Sequence, residues 1–155
     1  MKKIKTIKAV NAYKVLKGLK VKDLSEELCL GIWKNMKALR PINETYEKDV
    51  KDIAESLKSD EDEKWEERRQ KAGELELKVT NGVVKYTMED IDELVAIGKH
   101  NEELKNKQVP RMNELNDAEV EVDIKPIKEA DFIKAIKLND QSIGVMDELD
   151  FMIEE

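Results

Sequence analysis

Among 155 residues there are one cysteine, one histidine, three prolines, six glycines and only 5% aromatic residues. The lone thiol, Cys29, closes no internal disulfide, and its place in an apolar helical pattern makes it a small buried hydrophobe in a reducing compartment. The lone imidazole, His100, leaves no histidine pair for a metal, and no Ser-His-Asp set forms without it. The acids at 60–63 lack the glycine and the spaced ligands of a calcium loop, and no Gly-rich phosphate loop follows a strand. Neither a membrane-spanning run of ~18 apolar residues nor a signal peptide is present in the pattern. No catalytic residue, metal site or cofactor is expected, and neither is secretion or membrane insertion.

What the chain has in excess is charge. Asp, Glu, Lys and Arg make up 41% of it against 40% hydrophobic residues, where globular proteins usually carry about 25% charged. Together with few helix breakers, this predicts long helices with solvated outer faces. The charge is unevenly spread: Lys2, Lys3, Lys5, Lys8, Lys14, Lys17, Lys20 and Lys22 precede the first acid, Asp23, whereas Asp140, Asp147, Glu148, Asp150, Glu154 and Glu155 follow the last base, Lys137. Such ends can pair internally or stack head to tail, with Lys14 and Lys17 as docking candidates. A net charge of -7 sets the rest of the surface against nucleic acid.

The apolar spacing places a short helix over 7–19, with Ala9, Ala12, Tyr13, Leu16 and Leu19 on one face. A longer helix, capped at Asp23 or Ser25, carries Leu28, Ile32, Met36, Leu39, Tyr46, Val50, Ile53 and Leu57 as its seam. Pro41 lies inside that seam, yet Leu39 and Tyr46 stay in phase, which favours one helix kinked at the proline over about 24–58 against a restart there. Ser59 and the acids after it form the cap and first turn of a new or continuing helix through Trp65 that ends at Gly73.

Asn81-Gly82 is the preferred turn of a type I′ hairpin, and with that register Leu75, Leu77, Val79, Val84, Tyr86 and Met88 share one face. Thr87 then caps a helix with Asp90 three residues on, and Val109-Pro110 ends it. Glu119–Ile124 alternates as a half-buried strand that joins the hairpin. Helices follow through Phe132, Ile133 and Ile136, and from Ser142 through Ile143, Met146, Leu149 and Ile153. The fold class is thus α+β, mainly helical: a long antiparallel helical pair with a small three-stranded antiparallel sheet. The chain reads as a single domain, 1–155: a Lys-rich segment and short helix (1–22), a long kinked helical stretch (23–72), hairpin, helix and third strand (75–125), and C-terminal helices (127–155).

Each long helix carries an asparagine on its seam, Asn43 and Asn101, and with Leu57 level with Met88 the two would meet and fix the register. Trp33 reads as core packing, whereas Trp65, among charges, either covers the hairpin or meets a partner.

Asn11-Ala12-Tyr13 with Leu16 and Leu19, the Glu/Lys-rich helical pair, Glu119–Ile124 and a closing segment from Met146 to Ile153 together resemble a family of short bacteriophage and prophage proteins of unassigned function. The resemblance implies a phage origin, hence a role in assembly, in the virion or against a host system, in the host cytoplasm or on the particle. The function expected is a non-enzymatic interaction or structural protein that binds itself or another phage or host protein. The alternative is an acidic inhibitor of a host nuclease or defence enzyme, with Glu119, Glu121 and Asp123 mimicking nucleic-acid charge.

Overall fold

The computed structural model describes residues 1–57 and 60–154. In chain order they form β1 (Lys2–Lys5), α1 (Thr6–Gly18), α2 (Glu26–Ser56), α3 (Asp60–Thr80), α4 (Met88–Asp117), β2 (Glu119–Val122), α5 (Glu129–Leu138) and a short α6 (Met146–Leu149). Single 3-10 turns, Ile143–Val145 and Asp150–Met152, flank α6. The class is α+β and mainly helical. Where the sequence reads as one domain, the chain divides into two compact units: a first of Met1–Asp49 with Asn113–Glu155, and a second of Val50–Met112. No helix among the described residues is long and apolar enough to cross a membrane.

In the first unit β1 and β2 pair antiparallel, with Lys3 opposite Glu121, Ile4 opposite Val120 and Lys5 opposite Glu119. Opposite charges alternate with an apolar pair, the arrangement that favours one register over its one-residue slip. Among the described residues the sheet has two strands and not the three expected. The alternating segment is a strand as its pattern indicates, but its partner is the lysine-rich start of the chain. From β1 the chain turns straight into α1, fastened where Thr6 donates both its amide and its hydroxyl to the Ala118 carbonyl at 2.8 Å.

The stripe on α1 is buried as its spacing predicts, Ala9 and Ala12 completely, and Val10, which the spacing left out, is sealed with them. Phe132 and Ala135 of α5, with Leu149 and Met152 near the end of the chain, are equally sealed from solvent. Two asparagine side chains tie loops to this core by completing backbone pairs. Asn35, fully buried on α2, accepts from the Lys125 amide at 2.8 Å and donates to its carbonyl at 3.0 Å. Asn139 does the same for Lys20, at 2.6 and 3.0 Å. Ser142 accepts from the Gly144 amide, but the segment after it is a broken succession of turns, not one helix, and Ile143 stays exposed.

The helix α2 begins with the Ser25 hydroxyl accepting from the Leu28 amide and runs without interruption through Pro41, as the in-phase seam requires. Ser59, the expected cap of the next helix, lies outside the described residues. Pro110 does not end α4, which continues to Asp117. The missing amide costs a hydrogen bond, but side-chain bonds hold the helix on both sides of the proline: Arg111 donates to Ser56 Oγ, and Asn116 accepts from the Tyr46 hydroxyl at 2.8 Å.

In the second unit the predicted hairpin is absent. Helix α3 passes through Gly73 to Thr80, and Asn81-Gly82 ends it. Gly82 takes φ +73° and donates to the Val79 carbonyl, while Val83 donates to Lys78, which together form a Schellman stop. Left-handed glycine serves a hairpin and a helix end equally well. The choice falls to the helix because 60–80 is rich in Glu, Lys, Arg and Leu, good helix formers that outweigh Gly73, and because Arg68, Ala72, Leu75 and Val79 recur at helical spacing and are half-buried. Residues 84–87 belong to neither a helix nor a strand. Thr87 and Asp90 then form the reciprocal cap expected of them, each accepting the other's amide at 3.1 and 2.8 Å.

The register of the second unit also differs from expectation. Ser56 meets Arg111 instead of lying beside Met88, because α3 takes the first half of α4: Arg68 binds Glu93 and Arg69 donates to Asn101. Asn43 and Asn101 fall in different units, so the proposed register pair finds no support. Asn101 Oδ1 is engaged by Arg69 at 2.7 Å, and Asn43 is buried in the first unit with its Oδ1 unpartnered.

Candidate interaction surfaces

Side chains able to do chemistry are engaged locally. The Cys29 thiol lies 3.7 Å from the Val21 carbonyl and 3.9 Å from that of Leu24, and it is half-buried, not sealed as its pattern suggests. His100 stacks on Trp65 with ring centroids 4.1 Å apart and planes 9° from parallel. The Arg68 guanidinium carbon lies 3.7 Å from the Trp65 centroid. Two groups that close cannot share a face, so Trp65 is sandwiched between them. Trp65 is thus packed within the second unit, against side chains and not against a hairpin.

Arg68 extends the stack by gripping Glu93 with both nitrogens, at 2.5 and 2.8 Å. The hydrogen bond, then the charge, of the guanidinium holds the Glu93 carboxyl below its ordinary range, and Arg68 is shifted upward in turn. Beside this pair a groove of about 280 Å³ opens between α3 and α4, with Ala72, Leu75 and Leu94 as its apolar lining. The first unit has a wider groove of about 400 Å³ lined by Ile42, Tyr46, Leu115 and Val120, where Asp49 is the one carboxylate. Among the described residues no three of His, Cys, Asp and Glu converge in a way that could hold a metal ion.

Charged candidates from the sequence are dispersed or paired. Lys14 and Lys17 are exposed on α1, Lys17 5.9 Å from the Tyr13 ring. Glu119 and Glu121 are exposed on β2 with Lys5 and Lys3 opposite them in register, and exposed Asp123 follows the strand. The basic and acidic ends of the chain meet internally, where Lys8 binds Asp150 at 2.5 Å. Nearby in the same unit Lys5 binds Asp117 at 2.8 Å, which raises the Lys5 pKa through that hydrogen bond and charge.

What the sequence pattern missed is exposed apolar surface. In the first unit Trp33 is 46% exposed beside exposed Leu30, with Lys37 and Arg40 5.5 and 5.4 Å from its ring. It is not core packing: Trp33 sits one step off the Leu28–Ile32–Met36 seam, and cations four and seven residues on mark the solvent face. In the second unit Leu77, Val83, Met88 and Val95 are 65 to 74% exposed, and Ile91 and Leu94 are partly so. Two of these, Leu77 and Met88, belong to the apolar face of the segment read as a hairpin, whose packing would have hidden them. No family model, curated protein or solved structure matches this chain.

Proposed function

We propose that this is a non-enzymatic protein-interaction or assembly protein of phage type, acting through the apolar tip of its second unit. One observation carries the reading. Large apolar side chains from Leu77 to Val95 stand in solvent, although a folded chain gains about 25 cal/mol for each Å² of such surface it hides. Exposed patches of that kind mark docking sites. Trp33, flanked by Lys37 and Arg40, offers a second anchor of the type that concentrates binding energy. The phage assignment rests on the resemblance in element order described above, and places the protein in the host cytoplasm or on the particle.

The inhibitor alternative needs an unopposed line of acids. Glu119 and Glu121 have lysines opposite them across the sheet, so no observation favours it. An affinity capture from cells expressing the chain, wild type against Val95→Glu and Trp33→Ala, tests the reading. A specific protein, this chain included, that is recovered by the wild type and lost about ten-fold with Val95→Glu is the result expected. Capture of nothing, with a monomer at every concentration, overturns it.

A further inference from the structure

We propose that the outer edge of β2 takes an extended basic segment of another protein as a third, antiparallel strand, one in which Lys or Arg alternates with apolar residues. The site lies in the first unit and owes nothing to the apolar tip of the second. In an antiparallel pair, opposed residues alternately bond each other and turn their backbone groups outward. The Thr6 amide bonds the Ala118 carbonyl. With Lys5 opposite Glu119, Ile4 opposite Val120 and Lys3 opposite Glu121, the next bonded pair is therefore Ile4 with Val120. The amides and carbonyls of Glu119 and Glu121 point away from β1, and among the described residues no other backbone group bonds them. An edge of that kind is a template for a further strand, and a sheet of two strands gains stability from a third.

Charge and shape name the occupant. Glu119, Glu121 and Asp123 are exposed at every second position, while Val120 is half-buried and Val122 buried between them. Directly opposed residues share a face of a sheet, so an incoming strand sets alternate residues against these acids and the ones between beside the valines. The strand β1 already shows that pattern on the bonded side, with Lys3 and Lys5 against Glu121 and Glu119 and Ile4 against Val120. On the outer side the apolar residue meets open space: Thr6, Ala118 and Val120, which share the inner face, line the groove of about 400 Å³ together with Ile42, Tyr46 and Leu115. A net charge of -7 draws a basic segment toward this edge. A second copy does not fit it. Its β2 would oppose acid to acid, and its β1 is already paired and runs straight into α1.

A labelled peptide of sequence Lys-Val-Lys-Val-Lys-Val, titrated with the full chain to about 1 mM and followed by fluorescence anisotropy, tests this. Binding is expected, with hydrogen exchange at the Glu119 and Glu121 amides slowed when the peptide is present. Methylating the backbone nitrogens of its lysines removes the strand bonds and keeps the charge, and should weaken binding at least about ten-fold. Asp123→Lys, outside the β1–β2 ladder, should weaken it about ten-fold and leave the circular dichroism unchanged. A Glu-Val-Glu-Val-Glu-Val peptide should not bind. No binding at about 1 mM, equal binding of the methylated peptide, or unchanged exchange at Glu119 and Glu121 overturns the proposal. So does a chain that self-associates without peptide and protects the same two amides, since a second copy is then the occupant. Capture lost with Val95→Glu concerns the other unit and stands or falls separately.

Discussion

The first unit closes on side chains with no exposure at all, Phe132, Leu149 and Met152 among them, whereas in the second unit Ile97 alone among the described hydrophobic residues is buried to a comparable degree. The second unit is held by directed ties instead: the Arg68–Glu93 fork, Arg69 to Asn101, Arg111 to Ser56 and the Trp65 sandwich. Its apolar residues are largely on the outside. A core is non-directional and tolerates little change of volume, while polar ties fix alignment and contribute little net stability. The contrast separates a part closed on its core from a part that leaves large apolar side chains in solvent.

The largest effect should come from Phe132→Ala, which leaves a cavity in the sealed core. A loss of about 3–5 kcal/mol is expected from urea unfolding. A loss under about 1 kcal/mol would mean that the first unit is no more tightly packed than the second. Ile97→Ala removes the buried hydrophobe of the second unit and should cost about 2 kcal/mol, at the low end for such a change because its surroundings are already half open. Amide hydrogen exchange should then quicken across α3 and the first half of α4 while α1 and α5 stay protected. Equal quickening in both units would erase the distinction.

The smallest effect concerns pH. The Glu93 carboxyl is depressed below its ordinary value of 4.5 in the folded state, first by the Arg68 hydrogen bond. Its stabilising contribution is therefore complete above that ordinary value and disappears as pH falls through the lower folded one. Urea midpoints of wild type and Glu93→Gln should differ by a constant, small amount near neutrality and converge as the medium is acidified. A difference that widens in acid would contradict the fork as the tie between α3 and α4.

Legibility of the fold followed how local each determinant was. The Thr87–Asp90 cap, the Ser25 cap, the stripe on α1 and the alternation of Glu119–Val122 are settled within a few residues, and each stands where the pattern puts it. The partner of β2 depended on lysines more than a hundred residues away, and nothing in the spacing of the strand names them. Asn81-Gly82 was ambiguous at its own scale, since left-handed glycine ends a helix as readily as it turns a hairpin, and the wrong choice concealed the exposed tip with it. Pro110 failed because a proline removes one helical hydrogen bond without having to stop the run, and α4 continues past it to Asp117. For the candidate surfaces, the signal available was negative. Trp33 one step off its seam, with Lys37 and Arg40 along the same face, was the one feature that spacing could have exposed.

The pairing of Lys2–Lys5 with Glu119–Val122 also orders events during synthesis. Strand β1 has no mate until residue 122 has been made, so the first unit stays open until then. The stretch from Val50 to Met112 is contiguous and complete long before that.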